Sequence, residues 1–301
     1  TTWVALAALI VVTAVVYTPG LSGPFLFDDN IHITQNRWVL IEDLSTDSLV
    51  QAWKSSVSPF PSNRPLAQVS FGVNHAVSGL DTWGFKAVNL VLHLLTGMAV
   101  FVFSRLGLRA LSGGAERAPG EMLFALTVTA LWLLHPLHVS TVLYVVQRMA
   151  QISTLFLILA LSAYLWGRLR IAEGKPGLVW IAATVPLAAI GFLGKENTVL
   201  LPLLLLACEL TLLRGVPVGV NPRRIRTVWI VLIAVPLLLG IAYLVTHPGL
   251  LNHAGRPFTF EERVLTQTRV LWLYLQWLSI PDISQLGLFH DDIVISKAPL
   301  N

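Results

Sequence analysis

The stretch TWVALAALIVVTAVVYT, residues 2 to 18, holds no charged side chain. It is long enough to cross the hydrocarbon core of a bilayer, which takes about 17 to 25 helical residues. It lacks the basic start and small-residue cleavage site of a removable signal, so it reads as a retained first span. Six more apolar runs of crossing length follow at 83–104, 121–139, 149–167, 177–194, 198–213 and 227–246. They predict seven membrane helices. An eighth apolar helix at about 264–280, within ERVLTQTRVLWLYLQWLSI, carries Arg269, and the sequence leaves open whether it crosses, re-enters or lies in the interface.

Composition agrees with this reading. Of 301 residues 55% are hydrophobic and only 12% charged, whereas an average soluble domain carries about 25% charged residues. A water-soluble fold needs a charged exterior; a bundle whose exterior is lipid does not. The expectation is an all-α, polytopic membrane helix bundle of seven to eight helices, forming one membrane domain over residues 1–301. Residues 19–82 form a long first extracytoplasmic loop and residues 281–301 an extramembrane segment. Within the loop, STDSLVQAW opens with a helix-capping signal at Ser45 or Thr46 and places Leu49, Val50 and Trp53 on one side of a short helix. That helix is expected to lie flat on the membrane. Cys208, the one cysteine, lies in an apolar run and reads as a packing residue with no disulfide partner.

The formal charge is +4, but the basic residues sit in short loops and form no continuous basic surface, which argues against nucleic acid as a partner. Arg105, Arg109 and Arg117 fall after the second span, Arg168, Arg170 and Lys175 after the fourth, and Arg214, Arg223, Arg224 and Arg226 after the sixth. These are ten of the twenty Lys and Arg residues, and Lys and Arg concentrate on the cytoplasmic side. The N-terminus is therefore expected in the cytoplasm.

On the opposite, extracytoplasmic side stand Asp28 and Asp29, Arg64, His135, His138, Arg148, Lys195 and Glu196. Ionisable groups near membrane depth are costly and point to function. Adjacent carboxylates at a span end suit proton acceptance from a hydroxyl, or oxygen ligation of a divalent cation at Asp28 and Asp29. The alternative is that Asp29 or Asn30 caps the following segment. Arg64, Arg148 and Lys195 suit a phosphate; singly, each could instead partner Glu196 or a headgroup. His135 and His138 make an incomplete metal site and suit positioning a ligand or capping a helix end. Carboxylates with three cations on one face of the bundle fit an anionic, lipid-linked substrate better than a transport pathway, whose charges lie near the midplane.

Four segments, FDDNIHITQN, NRPLAQVSFGVNHAVSGLDTWGFKAVNLVLH, LLHPLHVSTVLYVVQRMAQIS and FLGKENTVLLPLLLLACEL, occur here in an order that resembles the membrane domains of TPR-containing protein O-mannosyltransferases and their bacterial relatives. The later ERVLTQTRVLWLYLQWLSIPDISQLGLFHDD is similar to the end of the bacterial membrane domain. The resemblance runs through almost the whole chain. It implies a GT-C-like fold and a membrane glycosyltransferase that moves a sugar from a polyprenyl-phosphate donor to an extracytoplasmic acceptor, a protein in that family, with no further cofactor assigned. It further implies residence in a bacterial inner membrane among membrane lipids. By the same resemblance Asp28 or Asp29 is the general base or the acceptor-positioning carboxylate. Arg64, Arg148 and Lys195 hold the donor phosphate beside Glu196, and His135 and His138 shape the pocket. The sequence departs from many relatives at Ser140, where they carry Glu, and at Lys86, where they carry His. Those relatives also continue into further spans and a TPR domain, which are not expected within these 301 residues. These departures keep a second reading in play, a noncatalytic GT-C-like subunit of a larger membrane complex.

Overall fold

The computed structural model describes residues 2–55, 64–114, 120–219, 221–251, 256–288, 290 and 293–298. All regular structure among them is helical. Helix α1 (Thr2–Tyr17) is the first apolar run. It leads into a loop that turns through a π-helical segment, Asn30–Thr34, before α2 (Thr46–Trp53). Ser45 caps α2, its hydroxyl accepting the Ser48 N–H at 3.3 Å. Helix α3 (Pro65–Ser78) was not anticipated; proline at its first turn supplies a preset φ where no N–H is needed.

Helix α4 (Thr82–Leu111) is capped by Asp81 and runs 30 residues, so Arg105 and Arg109, expected in a loop, lie on its last turns. The run expected as one span at 121–139 is instead α5 (Glu121–Leu133), a break at 134–137 around Pro136, and α6 (His138–Leu143). The reason is local: Pro136 has no N–H to give and biases its predecessor away from helix. Helix α7 (Arg148–Ala172) and α8 (Leu178–Gly194) follow, then α9 (Leu201–Leu210), which holds ten residues where a longer span was expected. Helix α10 (Pro222–Trp229), a π turn and α11 (Val235–Thr246) make one continuous rod, and α12 (Phe260–Ser279) begins at a capping box between Thr259 and Glu262.

Four helical stretches are long and apolar enough to cross a membrane: Thr2–Gly20, Thr82–Leu111, Val145–Ala172 and Pro222–Thr246. Helices α5 and α8 are apolar but shorter. The all-α bundle is therefore present, with fewer full-length crossing helices among the described residues than the seven to eight expected. Arg117 lies outside those residues.

Helices α4 and α7 run in the same direction: Arg148 bonds the Phe85 carbonyl at one end, and Arg109 pairs with Glu173 at 2.9 Å at the other. Helix α8 returns against α7. Gly194 is required there, since a Cβ would sit 2.7 Å from Ile152 Cγ2. Two apolar cores result. One joins α4, α7, α8 and α9 around Tyr164, Leu165, Leu169 and Leu205, and includes buried Cys208. The other lies at the opposite end, beneath the first loop, around Ile33, Phe71, Phe85, Val145 and Met149.

Candidate functional site

The second core carries the polar residues singled out from the sequence. Phe27 takes a positive φ of 39°, a backbone conformation rare for a large side chain. The following turn passes from α to π geometry at Asn30. Such one-turn expansions recur at functional sites because they re-aim neighbouring side chains. Here the adjacent carboxylates are separated in kind. Asp29 is fully buried; its Oδ2 accepts the Leu26 N–H at 3.0 Å and its Oδ1 the Val146 N–H at 2.7 Å. Burial pushes its carboxyl above the ordinary carboxylate range, against the lowering pull of those backbone bonds. Asp28 is exposed; its backbone N–H donates to the Tyr144 hydroxyl at 2.9 Å. Its carboxylate has no salt-bridge partner among the described residues.

Arg64 precedes α3 and reaches Glu196 in a two-pronged contact, Nε to Oε2 at 3.1 Å and Nη2 to Oε1 at 2.7 Å. Its Nη1 meets the Met149 sulfur at 3.2 Å. The guanidinium hydrogen bond is the main reason the Glu196 carboxyl stands below its ordinary value. Of the two roles weighed for Arg64, partnership with Glu196 is the one seen in this geometry. Lys195 ends α8 in extended backbone, and its carbonyl accepts the Ser153 hydroxyl at 3.2 Å. Burial, then the neighbouring Arg64 charge, lowers the pKa of its ammonium.

Arg148 lies inside the bundle and is fully buried. Nε donates to Asn89 Oδ1 at 2.9 Å, Nη1 to the Ser70 carbonyl at 3.0 Å and Nη2 to the Phe85 carbonyl at 2.7 Å. The guanidinium is sandwiched by Phe71 and Phe85 at 4.8 and 5.5 Å. All three nitrogens are engaged by protein acceptors, so the expected phosphate contact finds the side chain already committed. It ties α3, α4 and α7 together.

His135 Nε2 lies 3.1 Å from the Leu278 carbonyl, a bond the ring makes as an N–H donor, and so ties the α5–α6 turn to the end of α12. His138 packs at a tilt against the stacked Trp132 and His93 rings, its centroid 4.5 and 5.2 Å from theirs. The two rings are 6.4 Å apart, and no group of three His, Cys, Asp or Glu converges among the described residues. Ser140 gives its hydroxyl to the Leu137 carbonyl and brings no charge to the pocket.

Two further residues belong to this end. Lys86 is buried, with Nζ bonded to the carbonyls of Gly23 and Pro24 at 2.8 and 3.2 Å, and it holds the loop that presents the Asp pair. His32, on the π turn, has a buried Nδ1 without a partner and feels the charges of both Arg64 and Asp28. Burial and then Arg64 lower its pKa. The i,i+4 spacing of Asp28 and His32 was the available sequence signal for it.

An apolar bundle with acids and cations gathered at one end defines an integral membrane protein with a polar site at the mouth of its helices. Its homologues are protein O-mannosyl-transferases. Tmtc2 of Drosophila melanogaster is 30% identical over 277 residues, 87% of this chain and 26% of that protein. TMTC4 of Homo sapiens is 31% identical over 198 residues, 62% of this chain and 26% of that protein, and TMTC2 of Mus musculus 30% over 154 residues, 50% and 17%. The chain thus spans about a quarter or less of the length of these relatives. No family model matches it, and no solved structure does.

Proposed function

We propose that this chain is the membrane part of a glycosyltransferase that moves a sugar from a polyprenyl-phosphate carrier to a hydroxyl of a protein on the extracytoplasmic side. The relatives' names support sugar transfer to protein, and the observation that carries the reading is the division of labour within the Asp pair. Asp28 offers an exposed carboxylate on a constrained turn, while Asp29 spends both oxygens fixing that turn. In the reaction the acceptor oxygen bonds to the anomeric carbon as its proton passes to Asp28. The carbon–oxygen bond to the carrier breaks, and the carrier phosphate keeps the electron pair. Lys195 and Arg64, the latter oriented by Glu196, offset the charge of the departing phosphate. His32, His135 and His138 shape the pocket, while Arg148 fastens α3, α4 and α7 together beneath it and takes no part in donor binding.

Asp28→Asn keeps the shape and removes the base, so it should abolish sugar transfer in membranes while the purified protein unfolds at an unchanged temperature. Asp29→Asn should instead lower that temperature, by about 1 to 3 kcal/mol of lost stability, because the amide presents an N–H to backbone donors. The second reading, a noncatalytic scaffold, is favoured by the internal engagement of Arg148 and Asp29, and it predicts that Asp28→Asn leaves a transferring complex fully active.

A further inference from the structure

At the end of the bundle opposite Asp28, α7, α9 and the α10–α11 rod line an open cavity of about 730 Å³. Arg168, Glu209 and Trp229 line its interior, and Arg214 and Arg226 stand at its exposed edge. Glu209 accepts from Arg168 Nε at 2.7 Å, from Arg168 Nη2 at 3.2 Å and from the Tyr164 hydroxyl at 2.7 Å. Arg168 is only 1% exposed, yet its Nη1 has no acceptor, and the Trp229 indole N–H is a second buried donor without a well-formed bond. Both are donors; the Trp229 N–H has only the Tyr164 hydroxyl near it, and the Arg168 nitrogen lacks an acceptor oxygen altogether. Glu209 balances the charge of Arg168. Arg214 and Arg226 have no carboxylate partner among the described residues, so the rim keeps two uncompensated guanidinium groups. The remaining wall, including Leu206, Ile230 and Ile233, is apolar.

We propose that this cavity is a binding site for an anionic phospholipid. The headgroup phosphate lies between Arg214 and Arg226 with an oxygen directed toward the Arg168 and Trp229 donors, and an acyl chain lies against the apolar wall. Two cations over an apolar slot between helices select a phosphate joined to a tail over a free phosphate, since the tail replaces water on Leu206, Ile230 and Ile233. Arginine suits the role through its planar fork of donors. The site stands apart from the sugar-transfer end, and its test does not depend on transfer.

The test measures lipid retention by native mass spectrometry of the full chain in dodecylmaltoside, titrated with dioleoylphosphatidylglycerol or dioleoylphosphatidylcholine. Saturable retention of the anionic lipid at least tenfold above the zwitterionic one is expected. Arg214→Gln with Arg226→Gln should reduce that preference about tenfold, while Arg223→Gln on the neighbouring exposed position should not. Ala234→Phe, which narrows the cavity and leaves both arginines, should lower retention as well and stands in if the double variant does not fold. Equal retention by the folded double variant and the parent protein would overturn the site. So would displacement of the lipid by inorganic phosphate at equal concentration, which would show a phosphate site with no lipid selectivity.

Discussion

At the scale of single residues, burial sorts the charged groups found by reading the chain. A guanidinium with every nitrogen bonded to fixed acceptors holds a fold together, whereas a charge at the rim can meet a substrate. Arg148→Met takes the donor from buried Asn89 Oδ1 and removes the second bond that the helix carbonyls of Ser70 and Phe85 accept, and should cost about 2 kcal/mol, read as a lowered unfolding temperature. In the fraction that still folds, apparent affinity for the lipid-phosphate sugar should not change. Lys195→Gln should do the opposite, weakening donor use about tenfold with stability kept. The Arg64–Glu196 pair is half open to water, so screening limits it to under about 1 kcal/mol. Its sign is set by the lowered Glu196 pKa: the contribution is present above the ordinary glutamate value of 4.5 and is lost as pH falls through the lowered folded value. Unfolding measured from pH 7 down to acid should show this small loss in the parent protein and not in Glu196→Gln. The order of spans and loops along the sequence groups these residues on one side of the bundle. It did not distinguish Asp28 from Asp29, or Arg148 from Lys195, because burial depends on α3 and the π turn, which no periodic pattern announces.

At the scale of elements, apolar length located most helices but not their ends. The turn at Pro136 splits an apolar run that hydropathy alone reads as continuous, and α4 extends past its hydrophobic portion because Arg105 and Arg109 find Glu121 and Glu173. Those acids lie 16 and 64 residues away, out of view of any window along the chain. Close packing of α7 on α8 depends on the missing side chain at Gly194. Gly194→Val would force Ile152 or the α7 backbone to move and should cost about 1 to 3 kcal/mol, measured by thermal unfolding in detergent. The same shift would carry Lys195, the next residue, out of place, so transfer should fall together with stability.

Across the whole molecule the polar groups occupy two layers separated by the length of α7, about 37 Å for its 25 residues. That spacing suits the two surfaces of a membrane. A reporter joined near Gly114 or Arg223 should be reached only from the cytoplasm, and one near Ser58, a position outside the described residues, only from the other side; the reverse labelling would invert the assignment. The layers were legible from loop charges, because each run of crossing length flips the side on which the next loop emerges. The cross-links between the first loop and the later helices were not. Two of them join consecutive residues of that loop to one short stretch: the Asp28 amide to Tyr144, and the Asp29 carboxylate to Val146, two residues before α7 begins. A loop sewn down at two adjacent stitches cannot swing independently of the cloth. The carboxylate at Asp28 therefore inherits its movements from α7, and any opening that admits a bulky acceptor must come from the parts facing it.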